Sequence, residues 1–175
     1  MAGKKQSTTK KTGKLKSVFA NVSPIVVAVD FSDDSRAALA WACEASLGMK
    51  APLLVLHVVH DPAESPGYYR KDVKDLVRPM EDVAEKMMRK FIKSVRNTKI
   101  PQKPFKNLKT RLVKGLPVTR IIEVAEKINA RMIVMGSQGR SGLAHLLVGS
   151  KAEQVVRMAK IPVTIVKATR ENNED

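Results

Sequence analysis

The residues best placed by type and spacing to do chemistry form the run Met135-Gly136-Ser137-Gln138-Gly139-Arg140-Ser141-Gly142, continued by Val148-Gly149-Ser150. Glycine lets a backbone approach a ligand closely or adopt positive φ. The run follows a short apolar stretch, and Gly149-Ser150 precedes a helix-periodic segment whose unsatisfied N–H groups favour an anion. Arg140 adds a phosphate-compatible cation and Ser150 a hydroxyl. Together these point to phosphate recognition. A glycine-rich turn followed by a serine cap accounts for the same residues, and the local pattern leaves both readings open. Neither G-x4-G-K-[ST] nor a G-x-G-x-x-G after the first strand is present, which argues against a Walker-type loop and a dinucleotide site. The glycines instead follow G-x2-G-x9-G, with Ser150 next.

These residues need a scaffold, and the pattern of the chain supplies one. Ile25–Val29 is almost continuously apolar and ends at Asp30, as expected of a strand buried on both faces. Ser32 or Asp33 can cap the next helix, where Ala38, Leu39, Ala42, Cys43 and Leu47 recur at helical spacing, with Gly48 as the expected stop. Leu53–Val59 is a second strand. Residues 70–96 read as a long amphipathic helix that Pro79 should kink or split. Residues 108–114 alternate apolar and basic, predicting a more exposed strand. Gly115 and Pro117 open a third helix, Met132–Met135 is a fourth strand, and a last helix leads into a fifth strand at Val163–Val166. The alternation predicts an α/β fold: a single-domain, five-stranded parallel sheet with helices on both faces. Ligands in such sheets bind beyond the carboxyl ends of the strands, where strand order reverses. Asp30, Val58 and the glycine run all fall at those ends.

Charge is the other prominent feature, at +15 over 175 residues with 43% hydrophobic residues. Residues 1–20 carry six lysines and no acid; residues 21–69 net −4, residues 70–111 net +9 and residues 112–175 net +4. The first segment lacks the apolar residues needed to offset ordering and reads as a basic disordered tail; residues 169–175 read as a flexible C-terminal tail. Such charge nominates nucleic acid, an anionic surface or a phosphate-bearing ligand. Aromatic residues make up only 4% of the chain, too few for a single-strand stacking platform. No apolar run is long enough for a membrane helix. The single cysteine excludes an internal disulfide and fits a reducing compartment, so the expected location is cytoplasmic.

The G-x2-G-x9-G spacing with Ser150 resembles the G-x2-G-x9-G-[ST] nucleotide signature of the universal stress protein family, in its UspA-like, ATP-binding subclass. Pro24–Ser32 resembles that family's first strand and turn, and Leu56-His57-Val58-Val59 its second strand. Gly115-Leu116-Pro117 resembles its entry to the third helix, and Ile161-Pro162-Val163 the opening of its last strand. The resemblance covers residues 22–168, the expected domain. It implies a Rossmann-like sheet of the adenine nucleotide alpha hydrolase-like type and a homodimer paired through the last strand. It also implies ATP binding, with Ala28 and Asp30 beside the nucleoside and Val58 giving backbone contact to adenine. Met135 and Gly136 would approach base and ribose, and Gly139, Arg140, Gly149 and Ser150 would surround the phosphates. Asp30 is also a candidate ligand for Mg2+ or Mn2+; capping the next helix, or facing the ribose alone, are the alternatives. The basic tail and the Lys- and Arg-rich segment near 96–111 depart from the family pattern without touching the motif.

The remaining chemistry-bearing residues carry less. His57 reads as a satisfied core or interface histidine, Cys43 as an inert buried thiol, and Trp41 and the helical methionines as core fillers. No Ser-His-Asp or Cys-His arrangement comes together in the expected topology, and no general base stands out near the glycines, so catalysis has little support. The expected function is a nucleotide-dependent stress-response sensor or regulator acting as a homodimer, with an unidentified protein partner. The alternatives are a slow ATPase or self-phosphorylating enzyme, and a non-catalytic basic interaction protein that binds nucleic acid or an anionic surface through residues 1–20 and 70–111. Nucleic acid is compatible with the charge but not the expected partner.

Overall fold

The computed structural model describes residues 22–60, 79–139 and 148–169. In chain order these form β1 (Ile25–Ala28), α1 (Asp33–Met49), β2 (Leu53–Val59), α2 (Met80–Arg96), α3 (Lys103–Lys106), β3 (Lys109–Lys114), α4 (Pro117–Lys127), β4 (Met132–Gly136), α5 (Ser150–Met158) and β5 (Val163–Val166). The five strands make one sheet in the order β3-β2-β1-β4-β5, and every pairing is parallel. β1 and β2 are buried along their whole lengths, as are the first four residues of β4, whereas β5 is half-buried at the sheet edge. Continuous apolar runs suit the central positions because both faces of the sheet are covered.

The alternation of side chains along the strands divides the core in two. Val26, Ala28, Leu54, Leu56, Val58, Ile133 and Met135 face α4 and α5, where Ile121, Val124, Ala125, Ala152 and Val155 meet them. Ile25, Val27, Leu53, Val55, Met132 and Val134 face α1 and α2, against Ala38, Leu39, Ala42, Met88, Phe91 and Val95. The chain leaves β1 toward β2 on one side and returns through β4 on the other. The gap between the carboxyl ends of β1 and β4 is therefore the point where strand order reverses, the position at which such sheets bind ligands.

Several local expectations are revised. Gly48 does not stop α1: the helix runs on to Met49, and Lys50 takes the left-handed conformation at φ 50°. The stop is a local C-cap built on Lys50 in place of glycine. The Ser46 hydroxyl donates to the Ala51 carbonyl at 2.6 Å, and the Ala51 amide returns a bond to the Ser46 carbonyl at 3.1 Å. Pro79 sits at the N-terminal boundary of α2 with φ −55° and no kink, since its fixed φ suits a helix start; the earlier part of the expected 70–96 helix lies outside the described residues. The short α3, with Pro104 in its first turn, interrupts a stretch assigned no element from its sequence. Trp41 is 37% exposed and is not a core filler, whereas Met88 of the α2 stripe is 2% exposed and fills the core as expected. The 1–20 and 170–175 segments lie outside the described residues.

Candidate functional site

The floor of the site is set by register. Ala28, the last residue of β1, lies opposite Met135 of β4, and Val58 stands two residues beyond Ala28's partner on β2. All three are buried on the α4 and α5 side of the sheet. The chain then turns sharply: Phe31 has φ 67°, unusual for a bulky residue. Its ring is held between His57, with centroids 4.2 Å apart, and Phe91, at 5.6 Å. That packing holds Asp30 at the mouth of the switch point.

Asp30 is anchored by the start of α1. Its Oδ1 accepts from the Ser32 hydroxyl at 2.6 Å, the Ser35 hydroxyl at 2.6 Å and the Ser32 amide at 3.1 Å. Ser32 is the N-cap, its Oγ accepting from the Ser35 amide at 3.2 Å, so Asp30 braces the cap without serving as it. Across the switch point comes the glycine run. A Cβ added at Gly139 would lie 2.8 Å from Asp30 Oδ2, so glycine here lets the backbone pass directly beside that carboxylate. A Cβ at Gly136 would sit 2.7 Å from Asp34 Cβ and 2.8 Å from the Asp34 carbonyl carbon. Gly136 is therefore glycine so that β4 can pack against α1. At Gly149, N-cap of α5, a Cβ would stand 3.3 Å from the Ser137 carbonyl, which accepts the Gly149 amide at 2.7 Å. The run uses close approach, and none of these three glycines has positive φ. Ser150 is the exposed first residue of α5. Arg140 lies outside the described residues.

A second carboxylate, unanticipated from sequence, ties the site together. Asp34 is 7% exposed in the first turn of α1. Its Oδ2 accepts from the Ser137 hydroxyl at 2.6 Å and the Gln138 amide at 2.8 Å, and its Oδ1 from the Ala168 amide at 3.1 Å. A buried charge is tolerated when it is hydrogen-bonded this fully. Asp34 and Ser137 are 103 positions apart, and their pairing leaves no local pattern.

Among the described residues no three His, Cys, Asp or Glu groups cluster as a metal cage. One carboxylate with neighbouring hydroxyls does fit a hard cation that takes its other ligands from phosphates and water, the usual habit of Mg2+. Cys43 is buried, and its thiol is pushed up to about 11 by burial and by Glu44; the expectation of an inert thiol is met. His57 is also the satisfied core residue expected: it is 4% exposed, with Nδ1 2.7 Å from the Val29 carbonyl.

Burial pushes His57 down from 6.5 to about 4. The folded protein thus resists protonating a ring that the unfolded chain protonates readily. Its stabilising contribution is full above pH 6.5 and is lost as pH falls toward 4. The loss expected from this group is about 3 kcal/mol of unfolding free energy. Urea unfolding at pH 7 and at pH 4 should show a fall in wild type larger by that amount than in His57→Gln. Equal falls in the two proteins would refute the assignment.

Comparison with known proteins agrees with this architecture. The family model for the Universal stress protein family matches residues 21–167. Universal stress protein A homolog 1 of Coxiella burnetii is 30% identical over 144 residues, covering 81% of this chain and 94% of its own length. A universal stress protein of Mycobacterium tuberculosis is 30% identical over 148 residues, but this chain spans only 47% of that protein. Of another relative, from Methanocaldococcus jannaschii, it spans 34%, at 47% identity. Among solved structures, UspA from Lactobacillus plantarum superposes with a TM-score of 0.64 at 28% identity, covering 83% of this chain and 98% of its own. With its five-stranded parallel sheet and its glycine run at the switch point, the chain belongs to the universal stress protein family.

Proposed function

We propose that this chain binds ATP at the carboxyl ends of β1, β2 and β4 and acts as a nucleotide-dependent stress-response regulator. The observation that carries the reading is the meeting of Asp30 with Gly139, where a side chain would press first on the outer oxygen of the carboxylate. Beside it, Gly149 starts α5, whose N–H groups are a natural phosphate seat. Ala28, Val58 and Met135 form an apolar floor for a base, and Asp30 is suited to ribose or to a cation. Gly136, Gly139, Gly149 and Ser150 line the approach, with Arg140 as the cation for the phosphates. Mg2+ or Mn2+ brought by the nucleotide would be held by Asp30 and would neutralise phosphate charge. Solved proteins of this fold include one in complex with cAMP and one from Archaeoglobus fulgidus in complex with dAMP. At 23% and 24% identity they share its fold, and the nucleotide reading stands on this chain's own residues.

Regulation requires that ATP bind one state more tightly than another. The proposed state is a homodimer paired through β5. The carbonyls of Pro162, just before β5, and of Val166, its last residue, accept from the Ile133 and Ser137 amides at 2.9 and 2.8 Å. Alternate residues of a strand turn their backbone groups to opposite sides. Val163 and Ile165 therefore point theirs to the open edge, where a second strand can pair.

Two variants separate binding from folding. Gly139→Val should lower ATP affinity at least tenfold by calorimetry, with a melting temperature close to wild type. Gly136→Val should melt early, because its new atoms collide with the α1 backbone, at a cost of at least about 1–3 kcal/mol. Wild-type ATP affinity in Gly139→Val would exclude the site. For the dimer, Ile165→Pro removes an outward amide. Light scattering should then give half the wild-type mass with the circular dichroism preserved; an unchanged dimer would place the interface elsewhere.

A further inference from the structure

Between Glu85 and Glu123 the chain carries twelve Lys and Arg and no acid. The structure gives this run a shape. α2 spends its apolar face on the core through Val83, Ala84, Met88, Phe91 and Val95. The solvent face presents Lys86, Lys90 and Lys93 at spacings of three and four, with Arg89 and Arg96 beside them, all exposed. The stripe from Lys86 to Arg96 is about 15 Å long at the helical rise. It continues through the exposed Lys99, Lys103 and Lys106, the last two on α3. Two of the three acids on α2 are engaged at its N-terminal half, Glu81 with Lys114 and Glu85 with Arg89; Asp82 lies one turn before the stripe. On the neighbouring α1, Asp33 is paired with Arg36, leaving Glu44 as the exposed acid nearest in sequence to the packed face.

We propose that this stripe is a docking surface for the phosphate backbone of duplex nucleic acid, read without regard to sequence. Lysine dominates it, and lysine offers a flexible point charge suited to phosphates more than the planar fork used to read bases. Phe91 is buried and Phe105 half-buried, so the described residues of the stripe offer no aromatic platform for unstacked bases. The apolar side of α2 is consumed by the core, so no wedge remains to enter a bilayer. A linear row of cations over several phosphate spacings is the geometry left.

The test uses the full chain and a labelled mixed-sequence DNA duplex, with anisotropy followed from 50 to 200 mM salt. Neutralising four to six phosphates predicts a slope of log K against log salt of about −4 to −5. Lys86→Glu, Lys90→Glu and Lys93→Glu together should weaken binding at least tenfold and flatten the slope by about 3, with thermal unfolding confirming the fold. A scrambled duplex should bind equally. The proposal is overturned by any of three results: no binding at 50 mM salt, affinity unchanged by the triple reversal, or loss of binding only when the six lysines of residues 1–20 are changed to serine. Anionic phosphatidylserine vesicles form the parallel arm, and capture by vesicles with none by duplex also overturns it.

Discussion

The buried carboxylate of Asp34 is the constraint on which the rest of the site depends. It sits in the first turn of α1 and gathers a hydroxyl and an amide from the segment after β4 and an amide from the segment after β5. An ionised group in that position is tolerable only while those donors stay in place, and the helix N-terminus adds a favourable field. Three parts of the chain that leave the sheet at different strands are thereby held at one point. Gly136 is the steric counterpart of the same contact, since any side chain there would occupy the space of Asp34 itself. Helix position, loop position and strand spacing are coupled through these two residues.

How much of this can be read from sequence depends on the range of each interaction. The sheet was legible because continuous apolar runs such as Leu53–Val59 and helix-periodic stretches alternate locally, and locality is what a pattern records. The glycine spacing was legible for the same reason. Asp34 was not, because its partners lie 103 to 134 positions away and an acid in a first turn looks like ordinary helix-dipole chemistry. Gly48 misled because glycine usually ends helices, whereas here the bond between Ser46 and Ala51 sets the end. Trp41 misled because size and apolarity imply burial only on average.

Gly136, Gly139 and Gly149 look alike in the motif, yet the fold asks different things of them. Gly136 admits α1, Gly139 admits the Asp30 carboxylate, and Gly149 admits the Ser137 carbonyl that its own amide meets. Of the three, Gly139 alone would meet a carboxylate oxygen. A glycine motif in this fold is therefore first a statement about how closely β4 and its loop approach α1, and that approach creates the cleft. The same logic explains why net charge says little about the cleft. Asp30 and Asp34 are both satisfied by donors from α1 and from the loops, while the densest run of exposed cations lies on α2 and α3, against the other edge of the sheet. The proposed nucleotide site and the proposed polyanion surface are built by different elements, which meet where Phe91 of α2 packs on Phe31 of the Asp30 turn and where Arg36 of α1 reaches Ser94 and the Phe91 ring of α2.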